Sequence, residues 1–228
     1  MSFALRFRRD LADGVCVGVS LPQAAAFALP AELHPEEAAF VHAAPGPRRA
    51  TFIGGRVALR AAIAALGDTV PSTAILSTAR GAPALPPGYV GSISHKRELA
   101  VAIAARAELT PRTTVGIDVE IPRAFRADIT ARVLTPDERA AVAAMDAAAR
   151  DAEILFRFAA KEAIYKALDP WVQRLVSFQE VEIVTDADGR RAARLALARG
   201  EGPFAVGLDD VGGDGLVMVV ATVTAQKK

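Results

Sequence analysis

Residues 114–121 read TVGIDVEI, and the placement of this octet decides the fold. β-Branched residues dominate it, which predicts a strand. In a strand Asp118 and Glu120 are two residues apart, so both carboxylates leave on the same face. Just upstream, GSIS (91–94) and LAVAIAAR (99–106) read as two more short strands with HKRE (95–98) as a tight connection. The octet therefore ends a meander. Downstream the pattern returns to helices, so one half of the chain closes here and another opens.

The first half begins with GVCVGVSL (14–21), a strand. LHPEEAAFV (33–41) places Pro35 and two acids in a first helical turn, a helix start. PGP (45–47) interrupts it, and RRATFIGGRVALRAAIAALG follows as an amphipathic helix with Phe52, Val57, Leu59, Ile63 and Leu66 on one side and Gly67 as its C-terminal stop. Residues 70–91 are turn-rich. In the second half LTPDERAAVAAM (134–145) opens one helix and DAEILFRFAAKEAIYKAL (151–168) forms a longer one, ended by Asp169-Pro170. Strands are expected at 180–185, 190–198, 203–208 and 216–224, with TDADGR as a hairpin turn. Both halves thus run helix, helix, strands, and GRVALRAAIAALG shares its basic-apolar rhythm with AKEAIYKALDP, a hint of duplication. The expectation is an α+β protein of two pseudo-symmetric lobes, helices packed on short, mainly antiparallel sheets, with residues 1–113 in one lobe and 114–228 in the other. The cleft between lobes is then the default ligand site.

Composition narrows the function classes. The 228 residues are 52% hydrophobic and 23% charged, with net charge +1, an ordinary globular profile. Near-neutrality argues against a general nucleic-acid binder, whose phosphate contacts need a basic excess. The charge is divided, however. Residues 1–115 carry twelve Lys and Arg against eight Asp and Glu (+4), and residues 116–228 carry fifteen against eighteen (−3). Basic and acidic halves suit an anionic ligand bridged by a metal cation. The lone Cys16 excludes disulfides and cysteine-based zinc sites, fits a reducing cytoplasm and reads as a small buried apolar residue. FRRDLADGVCVGVSL looks superficially like a twin-arginine signal, but Asp10 and Asp13 fall where its apolar region should begin. No run reaches the roughly 18 apolar residues of a membrane span.

Four stretches carry chemistry. The Asp118/Glu120 pair repels itself unless solvated or bridged by a cation; its plainer reading is a solvent-facing strand edge. In FAAKEAIYKAL, Glu162 and Lys166 stand at i, i+4 with Phe158 a turn earlier, and Lys161 adjoins Glu162. The plainer reading is a surface ion pair worth about 0.3–0.5 kcal/mol, but the apolar surroundings leave only a narrow polar stripe, suited to a site where a metal and phosphate oxygens meet. In GSISHK, Ser94 and His95 sit beside Lys96 and Arg97 as donors for a phosphate; the plainer reading of His95 is a satisfied structural residue. In RRATFIGGRVALR, Arg48 and Arg56 bracket the start of a helix and Arg60 follows a turn on, where anions are attracted; taken singly, their plainer reading is a solvated helix face.

In this order, GSISHK, VGIDVE and FAAKEAIYK together resemble the 4′-phosphopantetheinyl transferases, specifically the two-lobed, monomeric Sfp-like group and its enterobactin-synthetase component D-like branch. Further stretches carry the resemblance across nearly the whole chain: LHPEEAAFV…RRATFIGGRVALR, RGAPALPPGYVGSISHK, LFRFAAKEAIYKALDP and LVSFQEVEI. Phe158 replaces the Trp of many relatives, and Arg80 in RGAP stands one or two positions early for a basic residue that holds the adenine end.

The resemblance implies transfer of the phosphopantetheine arm of coenzyme A to a serine of an apo carrier protein (acyl, peptidyl or aryl), releasing adenosine 3′,5′-bisphosphate, in nonribosomal peptide, polyketide or siderophore synthesis. It implies Asp118, Glu120 and Glu162 as ligands of Mg²⁺, with Mn²⁺ as a substitute. Glu162 would be the base, directly or through a water on the metal. Lys166 would neutralise or protonate the leaving α-phosphate, with Lys161 a further phosphate contact. Arg48, Arg56 and His95 would bind the 3′-phosphate and nucleotide, with Ser94 near the adenine or phosphate and Arg60 and Arg80 as further contacts. Asp118 and Glu162 are expected to lie outside the core. A cytoplasmic monomer acting without nucleic acid or membrane follows from the same resemblance. Arg123, Arg126 and Arg132, in the segment 121–150, suit a carrier's acidic helix or equally a solvated surface. The alternatives are a non-catalytic protein that binds coenzyme A or a carrier, and a Mg²⁺-dependent hydrolase of nucleotide diphosphates.

Overall fold

The computed structural model describes residues 3–227 apart from 24–26, 32, 45, 71, 97, 109–111, 123–126 and 187, and only the backbone of 47, 127 and 128. The chain divides into two compact units, Met1–Pro111 and Arg112–Lys228.

In the first unit, β1 (Leu5–Leu11), β2 (Gly14–Ser20), β3 (Tyr89–Lys96) and β4 (Leu99–Arg106) form one antiparallel sheet in the order β1-β2-β4-β3. β2 and β4 are central and buried almost throughout, which is why they are nearly unbroken apolar runs. Their Val15, Val17, Val19, Ala100, Ala102 and Ala104 form the face on which the second helix lies. That helix, α2 (Gly46–Ala65), contributes Ala58, Leu59, Ala62 and Ile63 to the same core. It can approach closely because Gly55 carries no Cβ; one there would come within 2.7 Å of the Ile93 side chain. α1 (Pro35–Ala43) starts at His34, whose side chain accepts from Glu36 N–H while Glu37 accepts from His34 N–H, and Phe40 stacks on Phe52 of α2 at 4.4 Å. Gly67, at φ +87°, closes α2 as its composition predicts.

Two elements differ from the sequence reading. LRFRRDL, with its arginines, forms the edge strand β1, and its pattern is mostly exposed, as an edge allows. β3 does not stop at Ser94: pairing continues through His95↔Ala100 and Lys96↔Leu99, so ladder hydrogen bonding overrides the polar composition of HKRE. Cys16 is fully buried, and burial pushes its thiol up to about 12, which leaves it unreactive.

In the second unit, β5 (Thr113–Glu120), β9 (Val217–Ala225) and β8 (Phe204–Asp210) make an antiparallel sheet in that order, and β6 (Val181–Thr185) pairs with β7 (Arg191–Leu195) as a hairpin. α3 (Ala127–Val133), which the sequence reading missed, and α4 (Pro136–Ala143) precede the long α5 (Ala147–Val172). α5 starts earlier than expected because Asp146 accepts from Ala149 N–H at 2.9 Å. It also runs past Asp169-Pro170. Pro170 forfeits one helical hydrogen bond, yet Gln173 N–H closes on the Asp169 carbonyl at 3.0 Å. Ala159, Ala163 and Ala167 of α5 pack with Val219, Ala221 and Val223 of β9 in the core. The expected α+β class, helices on short antiparallel sheets, is the observed one. No described helix is long and apolar enough to cross a membrane.

Candidate active site

The acids of GIDVE are set by the alternation of β5. Thr114, Gly116, Asp118 and Glu120 share the face turned to α5. Thr114 Oγ1 donates to the Ala167 carbonyl at 2.6 Å. At Gly116 the helix backbone touches the strand: an added Cβ would overlap the Ala163 carbonyl oxygen. Beyond it, Lys166 Nζ donates to Asp118 Oδ1 at 2.8 Å and to the Ile117 carbonyl at 2.9 Å. The D-x-E strand and the K-E-A helix, nearly fifty residues apart in sequence, therefore meet through a salt bridge.

Although β5 is an edge strand of its sheet, Asp118 and Glu120 are only 4% and 2% exposed. That corrects the solvent-facing edge reading of the pair and, for Asp118, the expectation that it lies outside the core. A buried carboxylate is costly without compensating charge. The Lys166 ammonium supplies one such charge to the wall that carries both acids. Glu162 is half-buried and lies one helical turn before Lys166. Among the described residues, no group of three or more His, Cys, Asp or Glu side chains is gathered closely enough to hold a metal ion. Asp118 is paired with Lys166. The donor chemistry still fits a divalent cation: hard carboxylate oxygens, two of them from side chains buried on one strand face.

The two lysines of the helix motif have different fates. Lys161 is 1% exposed, and its three ammonium protons go to the Val133 carbonyl (2.8 Å), Glu138 Oε2 (2.6 Å) and the Phe178 carbonyl (3.0 Å). An ammonium has three donors, so nothing remains for a ligand. The expected phosphate contact at Lys161 is thereby corrected: it is a buried structural cation. Burial lowers its pKa and Glu138 opposes that effect. Lys166 spends two donors inside the protein and its side chain is 25% exposed, so one donor remains for a phosphate oxygen.

In the first unit, Arg56 and Arg60 of α2 line a cavity of about 160 Å³ with Pro30, Leu33 and Val57. Arg56 lies over the Phe52 ring at 3.6 Å, with Nε on the Ile75 carbonyl at 2.8 Å and Nη2 on Ser77 Oγ at 3.1 Å. Burial lowers its pKa to about 10, against the pull of Glu37, and it stays a cation at neutral pH. Sequence reasoning missed Glu37. Its buried carboxylate accepts from Arg60 Nη1 (2.9 Å) and Ile75 N–H (2.6 Å), tying α1 to α2 and to Ile75. An acid in the first turn of α1 was the only signal, and it reads as helix capping alone.

Ser94 is buried on β3 and His95 exposed beside it; Arg48, near the start of α2, and Arg80, in the turn after Ser77, are also exposed. Arg132 is exposed in the last turn of α3, and Arg123 and Arg126 lie outside the described residues.

Residues 114–220 match the model of the 4′-phosphopantetheinyl transferase superfamily, and residues 36–105 match that of the 4′-phosphopantetheinyl transferase N-terminal domain. The chain is 36% identical over 204 residues to the 4′-phosphopantetheinyl transferase Svp of Streptomyces mobaraensis, covering 85% of this chain and 79% of that protein. It is 35% identical over 158 residues to the 4′-phosphopantetheinyl transferase Npt of Nocardia iowensis, covering 68% and 67%. Among solved structures, a holo-(acyl-carrier-protein) synthase from Bacillus anthracis in complex with CoA (3′,5′-ADP) superposes with a TM-score of 0.42 at 22% identity, over 49% of this chain and 96% of that one.

Proposed function

Because the chain belongs to the 4′-phosphopantetheinyl transferase family, we propose that it transfers phosphopantetheine from coenzyme A to a serine of an apo carrier protein, releasing adenosine 3′,5′-bisphosphate. The single observation that carries the reading is the partly buried Asp118–Lys166 contact at 2.8 Å, which joins the two motif segments on which the chemistry depends. Arg48, Arg56, Arg60, Arg80, Ser94 and His95 of the first unit would hold the nucleotide end. Mg²⁺ or Mn²⁺ held by Asp118, Glu120 and Glu162 would supply positive charge to the diphosphate.

The remaining chemistry belongs to side chains. Glu162 takes the proton from the incoming serine hydroxyl. The serine oxygen bonds to the β-phosphorus as the bond from that phosphorus to the bridging oxygen breaks. The electron pair leaves on the α-phosphate, where Lys166 neutralises it. Three facts support Lys166 over Lys161 in this role: its partial exposure, its remaining donor and its contact with Asp118.

The finer reading is a cytoplasmic monomer of the enterobactin-synthetase component D-like branch, serving acyl, peptidyl or aryl carriers. Its support is the sequence resemblance of GSISHK, VGIDVE and FAAKEAIYKALDP. The test is intact-mass analysis of apo carrier proteins after incubation with coenzyme A and Mg²⁺. The expected gain is one phosphopantetheine group, lost with EDTA and restored by Mg²⁺ or Mn²⁺. Release of adenosine bisphosphate without a carrier would instead identify a hydrolase.

A further inference from the structure

We propose that Lys161 and Glu138 are positioning residues of the transferase, fixing the rotation of α5 about its axis so that Glu162 and Lys166 are aimed correctly. This rests on the reading above. At about 100° per residue, Lys161 points about 200° around the helix from Ala163, the residue that touches Gly116 of β5. The helix is therefore held on opposite sides, by backbone contact with the strand on one and by the Lys161 ammonium on the other.

Lys161 Nζ gathers three separate segments: Val133 at the end of α3, Glu138 in α4, and Phe178 in the 3₁₀ turn Phe178–Glu180 that follows α5. Glu138 is itself fixed. Its Oε2 accepts from Thr135 N–H at 2.8 Å and its Oε1 from Ile183 N–H at 2.7 Å. One turn before Lys161, Arg157 bonds the Ile183 carbonyl at 2.7 Å and lies 3.3 Å from Glu138 Oε1. Another turn back, Glu153 pairs with Arg157 at 2.7 Å. Glu153, Arg157 and Lys161 thus form a buried charged stripe facing away from β5, with no role in the proposed chemistry.

Such a stripe resists rolling. Side-chain heads stand about 5–6 Å from a helix axis, so a roll of about 10° displaces them by about 1 Å. A misplacement of that size costs about 10²-fold in rate. Glu162 is next to Lys161 in sequence, so the roll that frees the ammonium moves the carboxylate directly.

The experiment compares Lys161→Met and Glu138→Gln with the wild type in carrier loading, with turnover expressed per folded molecule from circular dichroism. The expected result is a fall of about 10²-fold in kcat, with KM for coenzyme A unchanged within twofold. Trimethylamine N-oxide should raise the melting temperature of both variants without restoring kcat. Glu138→Gln keeps the carbonyl acceptor for Ile183 N–H, and decides the matter if Lys161→Met does not fold. Wild-type kcat per folded molecule in either folded variant overturns the proposal, as does recovery of kcat with the osmolyte. If both variants are unfolded, the stripe serves folding alone and the proposal falls. A wild-type protein that loads no carrier would instead sink the transferase reading.

Discussion

Gly116→Ala adds one methyl group where β5 touches α5. The new Cβ would overlap the Ala163 carbonyl oxygen, lie 2.8 Å from the Ala167 amide nitrogen and 3.0 Å from the Ala163 carbonyl carbon. Ordinary contacts between carbons lie near 3.5–4.0 Å, and all the obstructing atoms are backbone, so no rotamer change relieves them. Strand and helix must separate by about 1 Å. Overpacking of this kind costs about 1–3 kcal/mol. At about 2–4 °C per kcal/mol for a chain of this size, the melting temperature should fall by roughly 2–12 °C. The separation also draws Lys166 from Asp118, now 2.8 Å apart, and a 1 Å error in a catalytic constellation lowers turnover by about 10²-fold. Thermal melts by circular dichroism and carrier loading by intact mass read the two effects. Gly46→Ala is the control, since a Cβ there has nothing within 4 Å, and it should leave both unchanged. A Gly116→Ala protein with wild-type melting and loading would refute the claim that this contact frames the site.

Glu162→Gln should keep the fold, because the side chain is only half-buried, and lower kcat by about 10²–10⁴-fold; single-turnover loading measures it. Arg56→Ala should raise KM for coenzyme A by about tenfold or more, the equivalent of one lost charge-assisted hydrogen bond of about 1.5–3 kcal/mol; an unchanged KM removes Arg56 from the nucleotide end. Arg174 pairs with Glu180 at 2.7 Å and Glu201 at 2.6 Å, and its hydrogen bonds hold both carboxyls down to about 2 from an ordinary 4.5. The folded pKa values are depressed, so this stabilisation is complete above pH 4.5 and is lost as pH falls toward 2. Arg174→Met should therefore raise the pH of acid unfolding, followed by circular dichroism.

Much of this was legible because local chemistry and global packing agree. The Pro and acids at His34–Glu37 start a helix, Gly67 ends one, and the apolar runs of β2 and β4 are central strands. What stayed hidden depends on partners. β1 is an edge, so its arginines tolerate solvent, and Arg9 on the half-buried side with Phe7 and Leu11 blurs the alternation that marks a strand. Pairing with Leu99 and Ala100 keeps His95 and Lys96 in the ladder, and their composition does not reveal that. The burial of the strand face that carries Asp118 and Glu120 likewise depends on α5, whose contacting residues Ala163, Lys166 and Ala167 come more than forty residues later in the chain. A period of two places both acids on one face but does not say what covers it.

The two lysines of KEAIYK show the limit most sharply. In sequence they are equivalent cations flanking one glutamate. Helical phase separates them: Lys166 falls about 60° from Ala163 and Lys161 about 160° to the other side. Phase alone does not say which side faces a site. Glu153, Arg157 and Lys161 recur every fourth residue, a pattern that on most helices marks a solvated face. Here Glu138, fixed as the capping acid of α4, turns that face inward by offering Lys161 a carboxylate at 2.6 Å. Removing one partner of such a buried pair costs about 3–5 kcal/mol, far more than a surface pair. One side of α5 is thus committed to holding the helix, leaving the side with Glu162 and Lys166 for chemistry.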